Sequence, residues 1–161
     1  MSAPHDIRPV RPDHPDVAQL LAQLDQYLAS LYAPEDNHIL GLEALLQPQV
    51  TFLGAWEGGR VVGCGAVRAC AAEPDTGNQP YGEIKRMMVL HETRGRGLGG
   101  ALLSCLEQAA RGAGLPQVLL ETGRAQHEAV RLYERSGFRP HGPFSGYPDN
   151  GLSAFYSKAL V

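Results

Sequence analysis

Seven residues constrain this chain more than any others: Arg94-Gly95-Arg96-Gly97-Leu98-Gly99-Gly100. They follow an apolar, strand-like run from Ile84 to Leu90 and open a long helical pattern that starts at Leu98. Glycines let the backbone turn tightly and leave its N–H groups uncovered. A helix that begins at this point aims its unpaired N–H groups and positive dipole end back at the turn. Such a corner holds an anion, a phosphate or pyrophosphate above all. Arg94 and Arg96 add positive charge and bidentate donors at the same place.

The rest of the chain can be read around that corner. Asp6 to Val10 predicts a first strand, ended by Pro9 and Pro12. Asp13 then reads as a helix N-cap, with Pro15 just inside. The helix carries Val17, Leu20, Leu21, Leu24, Tyr27, Leu28 and Leu31 on one stripe and stops before Pro34. Tyr32 to His38 is a polar loop, and Ile39 to Leu46 predicts a second short helix. Val50–Glu57 and Arg60–Arg68 are strands, joined at Gly58-Gly59 by a two-residue hairpin turn. Gly63 and Gly65 in the second of these predict a bulge or a close backbone approach. After the loop from Ala71 to Pro80, Tyr81 to Leu90 predicts a strand antiparallel to its predecessor.

Beyond the turn, Leu98, Ala101, Leu102, Cys105, Leu106 and Ala109 make a helical stripe that Gly112, Gly114 and Pro116 end. Gln117–Thr122 is a short apolar strand, so strand, helix and strand form a βαβ unit with parallel strands and a right-handed crossover. A further helix over about residues 126–136, a strand at Phe138–His141, a loop and a last strand at Leu152–Ala159 complete the chain. The predicted class is α+β: one domain over residues 1–161, built on a mixed, mostly antiparallel sheet with a parallel βαβ unit and flanking helices.

Composition excludes several roles. A net charge of −3 gives no bulk attraction to nucleic acid. No apolar stretch is long enough to span a membrane, and Met1 to Asp6 lacks the apolar core of a signal peptide. Cys64, Cys70 and Cys105 show no metal or redox spacing, and the expectation is three small buried side chains in a cytoplasmic protein with no metal site.

Two phosphate ligands fit the corner. Gly95-x-Gly97-x-x-Gly100 matches the dinucleotide fingerprint, and Glu121 lies about 20 residues on, where a ribose-binding acid belongs. Against this, Leu90 to Arg94 separate the glycines from their strand, antiparallel strands come first, and the two arginines ask for more negative charge than a dinucleotide supplies. The second reading uses more of the chain. The run Glu83 to Val89, then Arg94-x-x-Gly97-x-Gly99, then Ala129-x-x-Leu132-Tyr133-x-x-x-Gly137-Phe138, resembles the GNAT superfamily of N-acetyltransferases. The order of strands and helices fits the same family over nearly the whole chain.

That resemblance implies acetyl-CoA as cosubstrate. The N–H groups of Arg96, Gly97, Leu98, Gly99 and Gly100 would hold its pyrophosphate, with Arg94 and Gly95 among the cofactor-binding residues of the same loop. The backbone of Met88, Val89 and Leu90 would pair with the pantetheine arm where the parallel strands splay. Tyr133 matches the tyrosine that protonates the leaving thiolate in many members. Gln126 stands where many members carry an Asn directed at the cofactor. A homodimer is common in the family. The segment from Leu31 to His38, with Gly142 to Phe144 and Tyr147-Pro148, resembles a bacterial subgroup with no assigned substrate, and makes Tyr32, His38, Phe144 and Tyr147 candidates for the acceptor pocket.

The chemistry asks for its own residues. Amide formation from a thioester needs a neutral amine, a polarised carbonyl and a protonated leaving sulfur, yet an alkylamine is mostly protonated at neutral pH. A general base contributes about 10²–10⁴-fold. Glu83, desolvated at a strand start, is the candidate; its alternative role is to pair with Lys85 or Arg68. The Val89 N–H or a neighbour would polarise the carbonyl. Lys85 and Arg86 should point to opposite faces of their strand, so one of them faces the pocket; parity with Glu83 favours Lys85 only if no bulge intervenes, and the resemblance implies a bulge in this strand after these positions. An inward cation would favour an acceptor bearing a carboxylate. The expected function is acetyl transfer to a primary amine of a small, amino-acid-like acceptor by direct attack in a ternary complex. The alternative is a non-catalytic acyl-CoA sensor of the same fold.

Overall fold

The computed structural model describes residues 5–160, so Met1 to Pro4 of the segment read for a leader, and Val161, lie outside the described residues. The chain runs β1 (Asp6–Pro9), α1 (Pro15–Leu31), α2 (Leu42–Leu45), β2 (Val50–Glu57), β3 (Arg60–Cys70), β4 (Tyr81–Val89), α3 (Leu98–Gly112), β5 (Gln117–Gly123), α4 (His127–Arg135), β6 (Arg139–His141) and β7 (Ser153–Ala159). All the described strands join one sheet in the order β1-β2-β3-β4-β5-β7-β6. Every neighbouring pair is antiparallel except β4 and β5, as the mixed-sheet reading expects. Among the described residues no helix is long and apolar enough to cross a membrane.

The amphipathic stripes bury as their spacing dictates. Val17, Leu20, Leu21 and Leu24 of α1 and Leu98, Leu102, Leu103 and Leu106 of α3 are all buried. Glu107 interrupts the α3 stripe, and its buried carboxylate meets Lys158 of β7 at 2.8 Å. Alternation along the strands separates two faces. Ile84, Val118 and Leu120 belong to the main core, whereas Tyr81, Leu119 and Phe155 pack with Phe144 in a small aromatic cluster.

Local details depart from the sequence reading for identifiable reasons. Asp13 pairs with Arg11 at 2.9 Å, and the α1 cap is His14, whose Nδ1 accepts from the Asp16 N–H at 3.1 Å. The predicted helix over 39–46 shrinks to Leu42–Leu45, because Gly41 is extended and serves as its N-cap. Pro34 to Asp36 form a short 3-10 turn that ends at Asn37. Cys64 is buried as expected, while Cys70 and Cys105 are only half-buried.

One irregularity shapes the centre of the sheet. Cys64 pairs with Met88 and Ala66 with Lys85, so Arg86 and Met87 together face Gly65. This is a β-bulge on β4, with Arg86 at φ 59°. The backbone approach falls at Gly63, where a Cβ would meet the Met88 carbonyl oxygen at 3.2 Å; at Gly65 a Cβ would run into the Met87 side chain instead. The bulge itself lies on the neighbouring strand. Before it, β4 pairs with β5 only at Gly82–Val118 and Glu83–Leu119. Beyond Glu83 the two strands part, β4 staying with β3 as far as Val89 and β5 with β7 as far as Gly123.

Candidate acyl-transfer site

The glycine corner sits at the open end of that parting. Gly95 (φ 82°) and Gly97 (φ 80°) are both left-handed, a conformation open to glycine at little cost. Gly97 is the N-cap of α3 and no side chain caps the helix. Among the described residues, none of the N–H groups from Gly95 to Gly100 meets an acceptor. Arg94 and Arg96 flank the corner and are turned onto surface acids. Arg94 donates from Nε to the Val89 carbonyl at 3.1 Å and meets Glu128 at 3.2 Å, while Arg96 meets Glu57 at 2.7 Å. Exposed pairs of this kind contribute about 0–1 kcal/mol, so an anion can draw either arginine away.

The backbone beside the corner is also available. Leu90 donates its N–H to Val62 of β3 at 2.9 Å. Successive residues of an antiparallel strand direct their N–H groups to opposite edges, so the Val89 N–H points into the gap between β4 and β5.

A cleft runs from this gap to α1. Its walls include Tyr32, His38, Arg86, Glu121, Gln126 and Tyr133. Gln126 stands at the α4 N-cap, makes no capping hydrogen bond and lines the cleft beside Tyr32. Burial pushes the Tyr133 phenol up, and the charge of Glu121 adds to the effect. Glu121 is held by the Ser153 hydroxyl at 2.7 Å. The Tyr32 ring lies so close over Gly123 that a Cβ at position 123 would overlap its hydroxyl.

Glu83 lies behind this wall, fully buried. Its Oε1 accepts from Arg68 at 2.7 Å, and its Oε2 accepts from the Tyr147 hydroxyl at 2.5 Å with Lys85 Nζ at 3.6 Å. Both pairings expected as alternatives are therefore present at once. Lys85 also donates to the His38 carbonyl at 3.1 Å and to the Tyr147 oxygen at 2.8 Å. Burial and the adjacent Glu83 charge raise the Tyr147 phenol far above the usual range.

Two expectations need correction. Phe144 does not line the cleft; it is fully buried, with its ring edge-on to Tyr81 at 5.5 Å and to Tyr147 at 5.4 Å. Its side chain backs Tyr147. Lys85 and Arg86 do not divide between core and cleft, because the bulge breaks the alternation and both line it. Sequence reasoning weighed Arg86 only as the alternative to Lys85, passed over its partner Asp25 on α1, 2.7 Å away, and met Glu121 only as a ribose-binding acid. Gly63, Gly65 and the family resemblance were the sequence signals for a bulge here, and none of them located it at Arg86.

An antiparallel sheet split at a single parallel pair stands beside an uncapped glycine-rich helix start, a corner suited to a phosphate group. Residues 14–138 match the model of the acetyltransferase (GNAT) family, and the chain belongs to that family. It is 45% identical over 144 residues to an "IAA acetyltransferase" of Azospirillum brasilense, covering 89% of this chain and 90% of that protein. A Klebsiella pneumoniae protein assigned as an acyl-CoA N-acyltransferase superposes with a TM-score of 0.79 at 31% identity, with 98% of both chains covered. A GNAT acetyltransferase of Elizabethkingia anophelis, crystallised with acetyl-CoA bound, has the same fold at a TM-score of 0.64 and 20% identity, over 97% of this chain and 98% of that one. The dinucleotide reading falls with the sheet order, since β4 and β5 form the lone parallel pair among the described strands. These relatives bear the names of transferases, which lends no support to a binding-only role.

Proposed function

We propose that this protein transfers an acetyl group from acetyl-CoA to a primary amine of a small, amino-acid-like acceptor, by direct attack in a ternary complex. The observation that carries the reading is the parting of β4 from β5 after Glu83, next to unpaired N–H groups from Gly95 to Gly100. The corner takes the pyrophosphate, and the free edge of Met88 to Leu90 takes the pantetheine arm. The thioester carbonyl then lies against the Val89 N–H, which stabilises negative charge as it develops on oxygen. Gln126 supplies a further amide to the cofactor arm.

The amine nitrogen attacks the thioester carbon and the C–S bond breaks. Tyr133 gives its proton to the departing sulfur and is reprotonated from solvent. Glu83 has no exposed surface, so it receives the amine's proton through the Tyr147 hydroxyl, to which it is bonded. Tyr32, His38 and Lys85 shape the acceptor end, with Phe144 behind Tyr147.

The test is CoA release from acetyl-CoA in the presence of amino acids, polyamines, aminoglycosides, peptides and IAA, the last because of the Azospirillum relative's name. Turnover with one class of amine supports the reading. Binding of acetyl-CoA with no thiol released by any of them would replace it with the sensor role.

A further inference from the structure

Three polar side-chain atoms of cleft residues are buried without a partner among the described residues: Arg86 Nε, His38 Nε2 and the Tyr32 hydroxyl. A buried polar group left unpaired is costly and uncommon in a folded chain. Each of these atoms can donate a hydrogen bond, His38 in the tautomer that carries its proton on Nε2. Three donors, one on a permanent cation, suit an oxygen anion.

Arg86 is the centre of the group. Its side chain is only 6% exposed, and its partner Asp25 occupies Nη1 alone, from a position 45% exposed. Its backbone is left-handed at φ 59°, which is unusual for any residue but glycine. Such strain persists where the surrounding structure imposes it and gathers at binding sites. Lys85 does not compete for the role, because His38, Tyr147 and Glu83 already engage its ammonium. Glu121 lines the same cleft, so the walls hold a cation and an anion around one space.

We infer that Arg86, with His38 and Tyr32, forms a subsite for a carboxylate group on the acceptor. The inference rests on the proposed acetyl transfer and narrows its substrate. The acceptor is an amino-carboxylate whose acid end meets the guanidinium while its amine end lies toward Glu121 and the thioester. Arg86 is then the residue that sets acceptor class, and Asp25 holds its guanidinium in place.

The experiment compares acceptors that differ only at the carboxylate: a panel of amino acids and, for each, its carboxamide, with acetyl-CoA held saturating. In the wild type kcat/KM for the acid should exceed that for the amide by on the order of ten- to a hundredfold, the range of a charge-assisted hydrogen bond. Arg86→Met should collapse that ratio toward one and leave the KM for acetyl-CoA within a few-fold; Arg86→Lys should restore part of it. His38→Ala, away from the bulge, should lower the same ratio less, which keeps the test open if the Arg86 variants fail to fold. Wild-type protein that uses acids and amides alike, or an Arg86→Met protein that keeps the ratio, overturns the carboxylate subsite while acetyl transfer stands. Failure of every amine to release thiol overturns both.

Discussion

Tyr133 holds its proton in the cleft wall because burial and the charge of Glu121 both oppose ionisation. It therefore remains a donor throughout the neutral range. Tyr133→Phe should lower kcat on the order of a hundredfold, the usual size of a proton-transfer contribution, and leave acetyl-CoA affinity within a few-fold. Stopped-flow thiol release reads this directly, and an unchanged rate would reject the acid role. Gly123 makes a different kind of prediction. A methyl there collides with the Tyr32 hydroxyl. Gly123→Ala should lower acceptor kcat/KM, and adding Tyr32→Ala should recover stability in a melting experiment, since contacting residues are non-additive. At this scale the sequence showed residue types well and their company poorly. Glu83, Lys85 and Tyr147 were each legible as candidates. Their union around one buried carboxylate depends on Tyr147, contributed by a loop 64 residues further along the chain, which no local pattern announces.

The α3 start and the β4 bulge are the elements on which the site is built. Gly97 at φ 80° would cost about 1–2 kcal/mol to hold as any other residue. Gly97→Ala should relax the turn, rotate the first N–H groups away and raise the acetyl-CoA Kd about tenfold by calorimetry, with acceptor KM little changed. A variant that binds the cofactor as the wild type does would remove the corner from the mechanism. The long helices and the hairpin at Gly58-Gly59 were legible because period and turn chemistry agree there. The short α2 was overextended because an apolar run without a cap does not say where it starts. The position of the bulge was not legible for a related reason: strand alternation has no term for an inserted residue, so the resemblance and the glycine opposite could suggest a bulge but not place it at Arg86.

The molecule as a whole should respond to its cosubstrate. A ligand at a hundred times its Kd stabilises the native state by about 2.7 kcal/mol. For a chain of this length that is a rise in melting temperature of roughly 5–10 °C. Acetyl-CoA should produce it and NAD should not; the reverse result would revive the dinucleotide reading. Global topology was accessible from the order of elements, because a βαβ unit preceded by antiparallel strands admits few sheets. The bulge at Arg86 carries a consequence for how such a protein changes over time. In the proposed reaction, recognition of the acyl donor rests on main-chain hydrogens, which substitution scarcely touches as long as the turn holds. In the same proposal, selection of the amine rests on Arg86, Tyr32 and His38, each of which a single codon can replace. A lineage built on this sheet can thus exchange its acceptor while inheriting its donor unaltered.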